Sequence, residues 1–508
     1  MTTPDGISGG PVAAVEPASI YRELGVEPII NCGGVRSGFG GSNPMPAVVE
    51  AMERAAREFV VLDELAYAVG ARLGELTGAE WGVVTSCSMA GMALATAACI
   101  AGHDPERMAE LPFTTATAHK VAIPRQHRFA YDFVFRMVGA TLVPFDTLDE
   151  LDALLDGTVA MVCLLGRADA SAALTNGDII RTAKGRNVPV LVDAAAQVPT
   201  RPDRWIAMGA DLVVYAGGKF VRGPQSSGFL IGSKRLCRMA WLNGPPHQAF
   251  GRGMKIGKEE IVGAYVALRE FLTTRDANAE QAAMTRRLEA VAEAVKDLPG
   301  VTLTFIPTSP AWLPPRLRIA WEPAAFAVTA DEVRLAMDRA RPRIHIHDFW
   351  STGTSIVIDP FNLRDSEAPV VGRAIAQYLL AHPGRARPSP ADAGPVAGRW
   401  TACIEFLHGP EEHDLVLRQE QNGLSGFHET RRSRGVISGH IDGNEFTLLA
   451  KHPGEPAAIY YTFTGRLCED GLQGDVALGA ATREHFGAVF NSQFGTVKWT
   501  AVAADGEA

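Results

Sequence analysis

Between residue 44 and about residue 235 the chain alternates short apolar runs with amphipathic helical stretches, and this alternation restricts the fold more than any other feature. The runs WGVVTS (81–86), KVAIP (120–124), ATLVPF (140–145), TVAMVCLL (158–165), VPVLVDAA (188–195) and DLVVYAG (211–217) are short and apolar, as strands buried on both faces are. Asn43-Pro44 opens a helix in which Val49, Met52, Ala56 and Phe59 share a face, and Leu65, Val69, Leu73 and Leu76 form a second stripe closed by Gly78. Strands separated by helices predict an α/β domain built on a mostly parallel sheet.

Past Gly232 the texture changes. Two long helical stretches, KEEIVGAYVALREFLTT and EQAAMTRRLEAVAEAVKDL, precede short strands and the helical ADEVRLAMDRA, the pattern of a smaller α+β domain. HPGRARPSPADAGPVAG is rich in proline and poor in large apolar residues, so it reads as a linker. From GRWTACIEFLHG to FGTVKWTAVA, hairpin-like runs joined by Asn-Gly and Asp-Gly turns predict about eight short strands of a small barrel or sandwich. The expected division is a leader and arm at 1–43, a large domain at 44–255, a small domain at 256–383, a linker at 384–397 and a barrel-like domain at 398–508.

Composition narrows the function classes. The 508 residues are 47% hydrophobic and 21% charged with a net charge of -9, which argues against nucleic acid as a partner, since its binders carry clustered positive charge. The seven cysteines include no C-x-x-C pair, and most lie in apolar runs where a thiol acts as a small hydrophobe. No stretch has the length and freedom from charge of a membrane span, and MTTPDGISGGPVAAVEPAS lacks a basic start and an apolar core. A cytoplasmic protein with a flexible leader is expected.

Three features converge on one sheet edge. Asp193 ends the strand VPVLVDAA at the carboxyl side, where open α/β sheets bind ligands. Lys219, in YAGGKFVRGPQSSG, ends the next strand region. The loop TSCSMA (85–90) joins a strand to the helical run GMALATAACI and offers hydroxyls and backbone N–H groups at a helix N-terminus, which favours a phosphate. Each has a plain reading alone: Asp193 as an N-cap, an acid–amine salt bridge, and serine capping. Together they match pyridoxal 5'-phosphate, with a lysine for the Schiff base, an acid for the pyridine nitrogen and a loop for the phosphate.

The stretches VPVLVDAAAQVP, GADLVVYAGGKFVRGPQSSGFLIG, RQHRFAYDFVFRMVGATLV and GRGMKIGKEEIVGAYVAL resemble fold-type I pyridoxal-phosphate enzymes related to L-seryl-tRNA(Sec) selenium transferase, in the branch that contains D-glucosaminate-6-phosphate ammonia-lyase. The resemblance spans roughly residues 20 to 380, and Gly-Gly-Lys-x-x-Arg-Gly-Pro-Gln is its most specific block. It implies Lys219 as the Schiff-base lysine, Asp193 as the ring-nitrogen acid, and Ser86, Cys87 and Ser88 in the phosphate loop. His127 falls where a residue stacks on the cofactor ring, its alternative being a histidine in a helix's first turn with no ligand. Gln225 and Arg222 are candidates for the cofactor phosphate or a substrate anion, or else brace the Gly223-Pro224 turn. Arg36 and Arg252 are further substrate candidates; Arg36 has a structural bridge as its alternative, and Arg252, with Lys255, would act across the subunits of a homodimer or higher homo-oligomer. Ala216 stands where relatives often carry serine, Cys87 where they often carry glycine, and Val35-Arg36-Ser37 where they carry a Gly-Thr-x-Thr-like run.

The chemistry implied is removal of the Cα proton of an amino acid or amino-sugar acid by Lys219, followed by α,β-elimination of a β-hydroxyl and release of ammonia and a 2-oxo acid. β-Replacement by a transferase, transamination, racemisation and a non-catalytic pyridoxal-phosphate sensor are the alternatives. His345 and His347 in RPRIHIHDFW share a strand face, but no third metal ligand is evident and a strand with one polar face explains them; no metal is expected. No catalytic residue is expected in the C-terminal β-domain, whose predicted role is to cover the active site or an oligomer surface.

Overall fold

The computed structural model describes residues 19–168, 174–308, 314–347, 351, 353–384, 394–454, 458–483 and 489–504. Strand β1 (Ile29–Cys32) comes first, and a seven-stranded sheet follows: β2 (Trp81–Thr85), β3 (Lys120–Pro124), β4 (Thr141–Phe145), β5 (Val159–Leu165), β6 (Val190–Asp193), β7 (Leu212–Ala216) and β8 (Gly228–Gly232). Its order is β2-β8-β7-β6-β5-β3-β4. β8 is antiparallel to both neighbours, and the β7-β6-β5-β3-β4 pairings are parallel. All six expected strands form. β8 was not expected as a strand, and it inserts between β2 and β7.

The central strands are buried on both faces, as their unbroken apolar runs require. Met92, Val121, Cys163, Leu191 and Leu212 belong to one apolar cluster, and Val48, Val84, Val162, Val192 and Val213 to a second. The helix Lys258–Thr273 places Ile261, Ala264, Ala267 and Leu268 in the second cluster. That helix thus completes the large domain, whereas the sequence had assigned it to the small one.

Among the described residues, those up to Gly33, Thr285–Phe305 and those within Arg316–Pro383 form one compact unit, and the remaining described residues form the other. In the first unit β9 (Val301–Ile306), β10 (Arg316–Trp321) and β12 (Ser355–Ile358) make a sheet of order β12-β10-β9, while β1 pairs in parallel with β11 (Arg343–Ile346). A buried ion pair, Arg316 Nε to Asp359 Oδ2 at 3.2 Å, ties the start of β10 to the end of β12. His345 is buried, its Nδ1 3.2 Å from Asp338 Oδ1. Asp348 and residues 385–393 of the expected linker lie outside the described residues.

The C-terminal strands are β13 (Gly398–Phe406), β14 (Gly409–Glu420), β15 (Gly423–Glu429), β16 (Arg434–Asp442), β17 (Glu445–His452), β18 (Ala458–Cys468), β19 (Gly471–Arg483) and β20 (Val489–Ala503). Each pairs antiparallel with the next, and β20 closes on β13, so the predicted barrel or sandwich is a closed barrel. Trp499, Phe463, Leu415 and Ile404 fill its interior. Val396, inside the expected linker, is fully buried in that core, which moves the domain's start ahead of residue 398.

Candidate active site

Strands β5, β6 and β7 lie side by side and parallel, so their carboxyl ends open on one edge of the sheet. Asp193 is the last residue of β6. Lys219 follows the end of β7, and Arg167 follows the end of β5. All three line a cavity of about 220 Å³, together with Ser88, Tyr131 and Gln225.

Close backbone packing sets the position of Lys219. A Cβ on Gly218 would come 2.5 Å from the Gln225 Cα, so only glycine lets the chain turn here against its own return limb. Ser42 fastens the turn from outside: its Oγ donates to the Lys219 carbonyl at 2.6 Å and its N–H to the Gly218 carbonyl at 3.1 Å. Burial pushes the Lys219 amine below the ordinary lysine range, and the Arg167 cation adds to this while the Asp193 carboxylate opposes it. The outcome is an amine more available as a free base.

Asp193 is buried, which pushes its carboxyl above the usual carboxylate range. The Ala195 N–H, donating to Oδ1 at 2.9 Å, pulls it back, as do the cations of Lys219 and Arg167. The capping-type bond expected as the plain reading is therefore present, but it sits on a carboxylate that also faces the cavity.

The helix Ser88–Ala101 begins at the same cavity. Cys87 caps it through Sγ, which accepts the Ala90 N–H at 3.3 Å, and Thr85 Oγ1 donates to the Cys87 carbonyl at 2.8 Å. The departure from glycine at Cys87 is thereby absorbed: the side chain serves as the N-cap while the residue still lines the cavity. β8 passes directly behind, and a Cβ on Gly228 would lie 2.4 Å from the Cys87 carbonyl carbon and 2.6 Å from the Ser88 nitrogen.

Of the other sequence candidates, only Gln225 reaches this surface. His127 is fully buried, and its Nδ1 accepts the Leu165 N–H at 3.2 Å; Phe129 and Tyr131, further along the same loop, line the cavity instead. Ser86 stands outside the lining although Cys87 and Ser88 belong to it. Arg222 takes up φ 56°, and its Nε donates to the Asn43 carbonyl at 3.0 Å. Arg36 precedes the short turn Ser37–Phe39, and Arg252 sits in the turn Phe250–Gly253; neither lines the cavity. Gln225 does, and its Nε2 donates to the Ser37 carbonyl at 3.0 Å. Arg167 was missed. Its signal was the Gly166-Arg167 pair directly after TVAMVCLL, at the edge already singled out for Asp193 and Lys219.

The residues present suit pyridoxal 5'-phosphate: an amine with a depressed pKa, a buried acid at the end of the neighbouring strand and a helix N-terminus, all on one cavity. Fold and site define a pyridoxal-phosphate-dependent enzyme of fold type I. Among characterised proteins the chain is similar to D-glucosaminate-6-phosphate ammonia lyase of Salmonella typhimurium, with 28% identity over 366 residues, 70% of this chain and 96% of that protein. It is likewise similar to a 5'-C-glycyluridine monooxygenase-decarboxylase of a Streptomyces species, with 29% identity over 380 residues, 72% of this chain and 93% of the relative. A solved structure of D-glucosaminate-6-phosphate ammonia-lyase superposes with a TM-score of 0.62 at 27% identity, covering 72% of this chain and all of that one. No protein-family profile matches the chain. The relatives are matched almost end to end, and over a quarter of this chain lies beyond each match.

Proposed function

We propose that the protein is a pyridoxal-phosphate-dependent ammonia-lyase that converts a β-hydroxy amino acid or amino-sugar acid into a 2-oxo acid and ammonium. Water lost in the elimination is returned when the enamine product hydrolyses, so R–CHOH–CH(NH3+)–COO− becomes R–CH2–CO–COO− and NH4+ with no net water. The observation that carries this reading is the joint placement of the Lys219 amine and the Asp193 carboxylate on one cavity, in a chain related along nearly the whole length of an ammonia lyase.

When bound, pyridoxal 5'-phosphate supplies an electron sink that acidifies the substrate's Cα–H bond. Lys219 Nζ would hold the cofactor and is placed to take the proton from the substrate Cα; burial lowers its pKa, which favours the neutral amine that a general base needs. Asp193 would keep the ring nitrogen protonated as a carboxylate, the charged form that the Ala195 N–H and the cations of Lys219 and Arg167 favour against its burial. The N-terminal N–H groups of the helix at Cys87 and Ser88 would receive the phosphate, and Gln225 lines the same cavity. Phe129 and Tyr131 supply an aromatic wall. His127 acts as a positioning residue that fixes the end of β5 through the Leu165 N–H.

Seven free cysteines support a cytoplasmic location, and the exposed run Phe59-Val60-Val61 supports a homodimer that buries it. The test incubates the holoenzyme with a panel of β-hydroxy amino acids and 6-phosphorylated amino-sugar acids, and measures ammonia, 2-oxo acid, dissolved oxygen and carbon dioxide. Equal yields of ammonia and 2-oxo acid without oxygen uptake support elimination. Oxygen uptake with carbon dioxide release would instead match the chemistry named for the Streptomyces relative.

A further inference from the structure

We infer that Gln197 is a positioning residue: it clamps the ends of β5 and β6 to each other and so aims the Asp193 carboxylate at the ring nitrogen of the cofactor. This rests on the reading of the site as a pyridoxal-phosphate enzyme.

Asp193 stands where the sheet stops holding the chain. Its ladder partners are Leu165 on β5 and Val214 on β7, and β6 ends with it. Past the ladder a closed set of hydrogen bonds takes over. The Gly166 N–H donates to the Asp193 carbonyl at 2.7 Å, and the Gly166 carbonyl accepts from Gln197 Nε2 at 2.7 Å. The chain returns through the turn 194–197, in which the Gln197 N–H donates to the Ala194 carbonyl at 2.9 Å and the Ala195 N–H to Asp193 Oδ1 at 2.9 Å. The turn that carries Gln197 therefore also carries the donor that orients the carboxylate.

Both ends of the carboxamide are engaged. A carbonyl such as that of Gly166 can only accept, so Nε2 faces it; the Trp205 indole N–H can only donate, and Oε1 accepts it at 3.1 Å. Gln197 is buried and lies outside the cavity lining, so its effect on the cofactor passes through Asp193. The fit is close: a Cβ at Gly166 would come 2.9 Å from Gln197 Oε1 and 3.0 Å from the Asp193 carbonyl oxygen. Such support matters because a hydrogen bond weakens steeply once its angle is lost, and a functional side chain must be held within about 0.5 Å of its productive place. The competing role is packing alone, in which Gln197 stabilises the fold and leaves the cofactor ring unaffected.

A pair of cofactor probes distinguishes these roles without knowledge of the natural substrate. The full-length, cofactor-free protein is titrated with pyridoxal 5'-phosphate and with 1-deazapyridoxal 5'-phosphate, in which a C–H group replaces the ring nitrogen. Phosphate and aldehyde are common to both, so the ratio of dissociation constants reports the ring-nitrogen contact. The wild type is expected to favour pyridoxal 5'-phosphate by about a hundredfold, the range of a hydrogen bond to a charged group. In Gln197→Met, which keeps the bulk and removes both hydrogen bonds, the preference should fall by about tenfold while affinity for the deaza analogue is unchanged. Trp205→Phe, which frees Oε1 alone, should give a smaller fall in the same direction, and it carries the test if the melting temperature of Gln197→Met shows a failure to fold. A preference that stays the same in the folded variants, or a loss of both affinities by one factor, overturns the positioning role. A wild type that binds both compounds equally overturns it too, because Asp193 then makes no contact with the ring nitrogen. A wild type that binds neither overturns the class reading along with it.

Discussion

Acid should open the barrel, and His428 should account for a defined part of the effect. Three buried imidazoles form a hydrogen-bonded row at one end of the barrel interior: His413 Nδ1 lies 2.9 Å from His428 Nε2, and His428 Nδ1 lies 2.8 Å from His452 Nε2. Ser433 Oγ ends the row, 2.8 Å from His452 Nδ1, and Glu411 lies beyond His413. Burial pushes all three below the ordinary histidine value, His428 to about 2, with the neighbouring histidines adding to its shift. The unfolded chain therefore takes up protons below about pH 6.5 that the native barrel refuses, and stability falls with falling pH until the folded pKa is reached. For His428 alone the loss approaches about 1.4 kcal/mol per pH unit, which comes to about 2 kcal/mol and roughly fiftyfold in the opening equilibrium between pH 6.5 and 4.5.

The perturbation is His428→Phe in the full-length chain. At pH 7 it should destabilise the barrel by about 2 kcal/mol or more, because His413 Nδ1 and His452 Nε2 each lose a buried partner. Toward pH 4.5 the gap between variant and wild type should close, since the variant lacks one of the protons that drives the loss. Amide exchange of peptides from β14 to β17, corrected for the intrinsic rate at each pH, reports barrel opening separately from the other domains. A pH slope that is the same in wild type and variant, or a wild-type barrel whose protection does not change over this range, would refute the reasoning.

Two further substitutions probe the cavity. Asp193→Asn should keep the fold and bind cofactor but lower kcat by at least about a hundredfold, since a neutral amide does not hold a proton on the ring nitrogen; steady-state rates with cofactor occupancy measured in parallel check this. Gly228→Ala should weaken cofactor binding more than tenfold in an absorbance titration, because its Cβ would meet backbone at Cys87 and Ser88 and force the helix N-terminus to move, at a cost of about 1 to 3 kcal/mol.

How much of this was legible in the sequence depended on the range of the interaction. The six strands could be read because burial on both faces leaves a local apolar run, as in TVAMVCLL. Asp193 and Lys219 could be read because strand ends are local features and the sheet edge is shared. The helix Lys258–Thr273 could not be assigned to its domain, since an apolar stripe does not name the surface that will cover it. Arg36, Arg222 and Arg252 were selected for their closeness to motifs along the chain, yet cavity lining is set by strand order, which brings Arg167 to the site instead. The histidine row escaped notice because His413, His428 and His452 lie on three strands, and only the pairing of β14 to β17 brings their rings together.

The central claim is that the Lys219 amine anchors the cofactor. Borohydride reduction of the holoenzyme, followed by proteolysis and mass spectrometry, locates the covalent attachment. The phosphopyridoxyl label should fall on Lys219 in the peptide containing AGGKFVR and be absent from Lys219→Ala. A label on any other lysine, or full labelling of the Lys219→Ala variant, would contradict the claim.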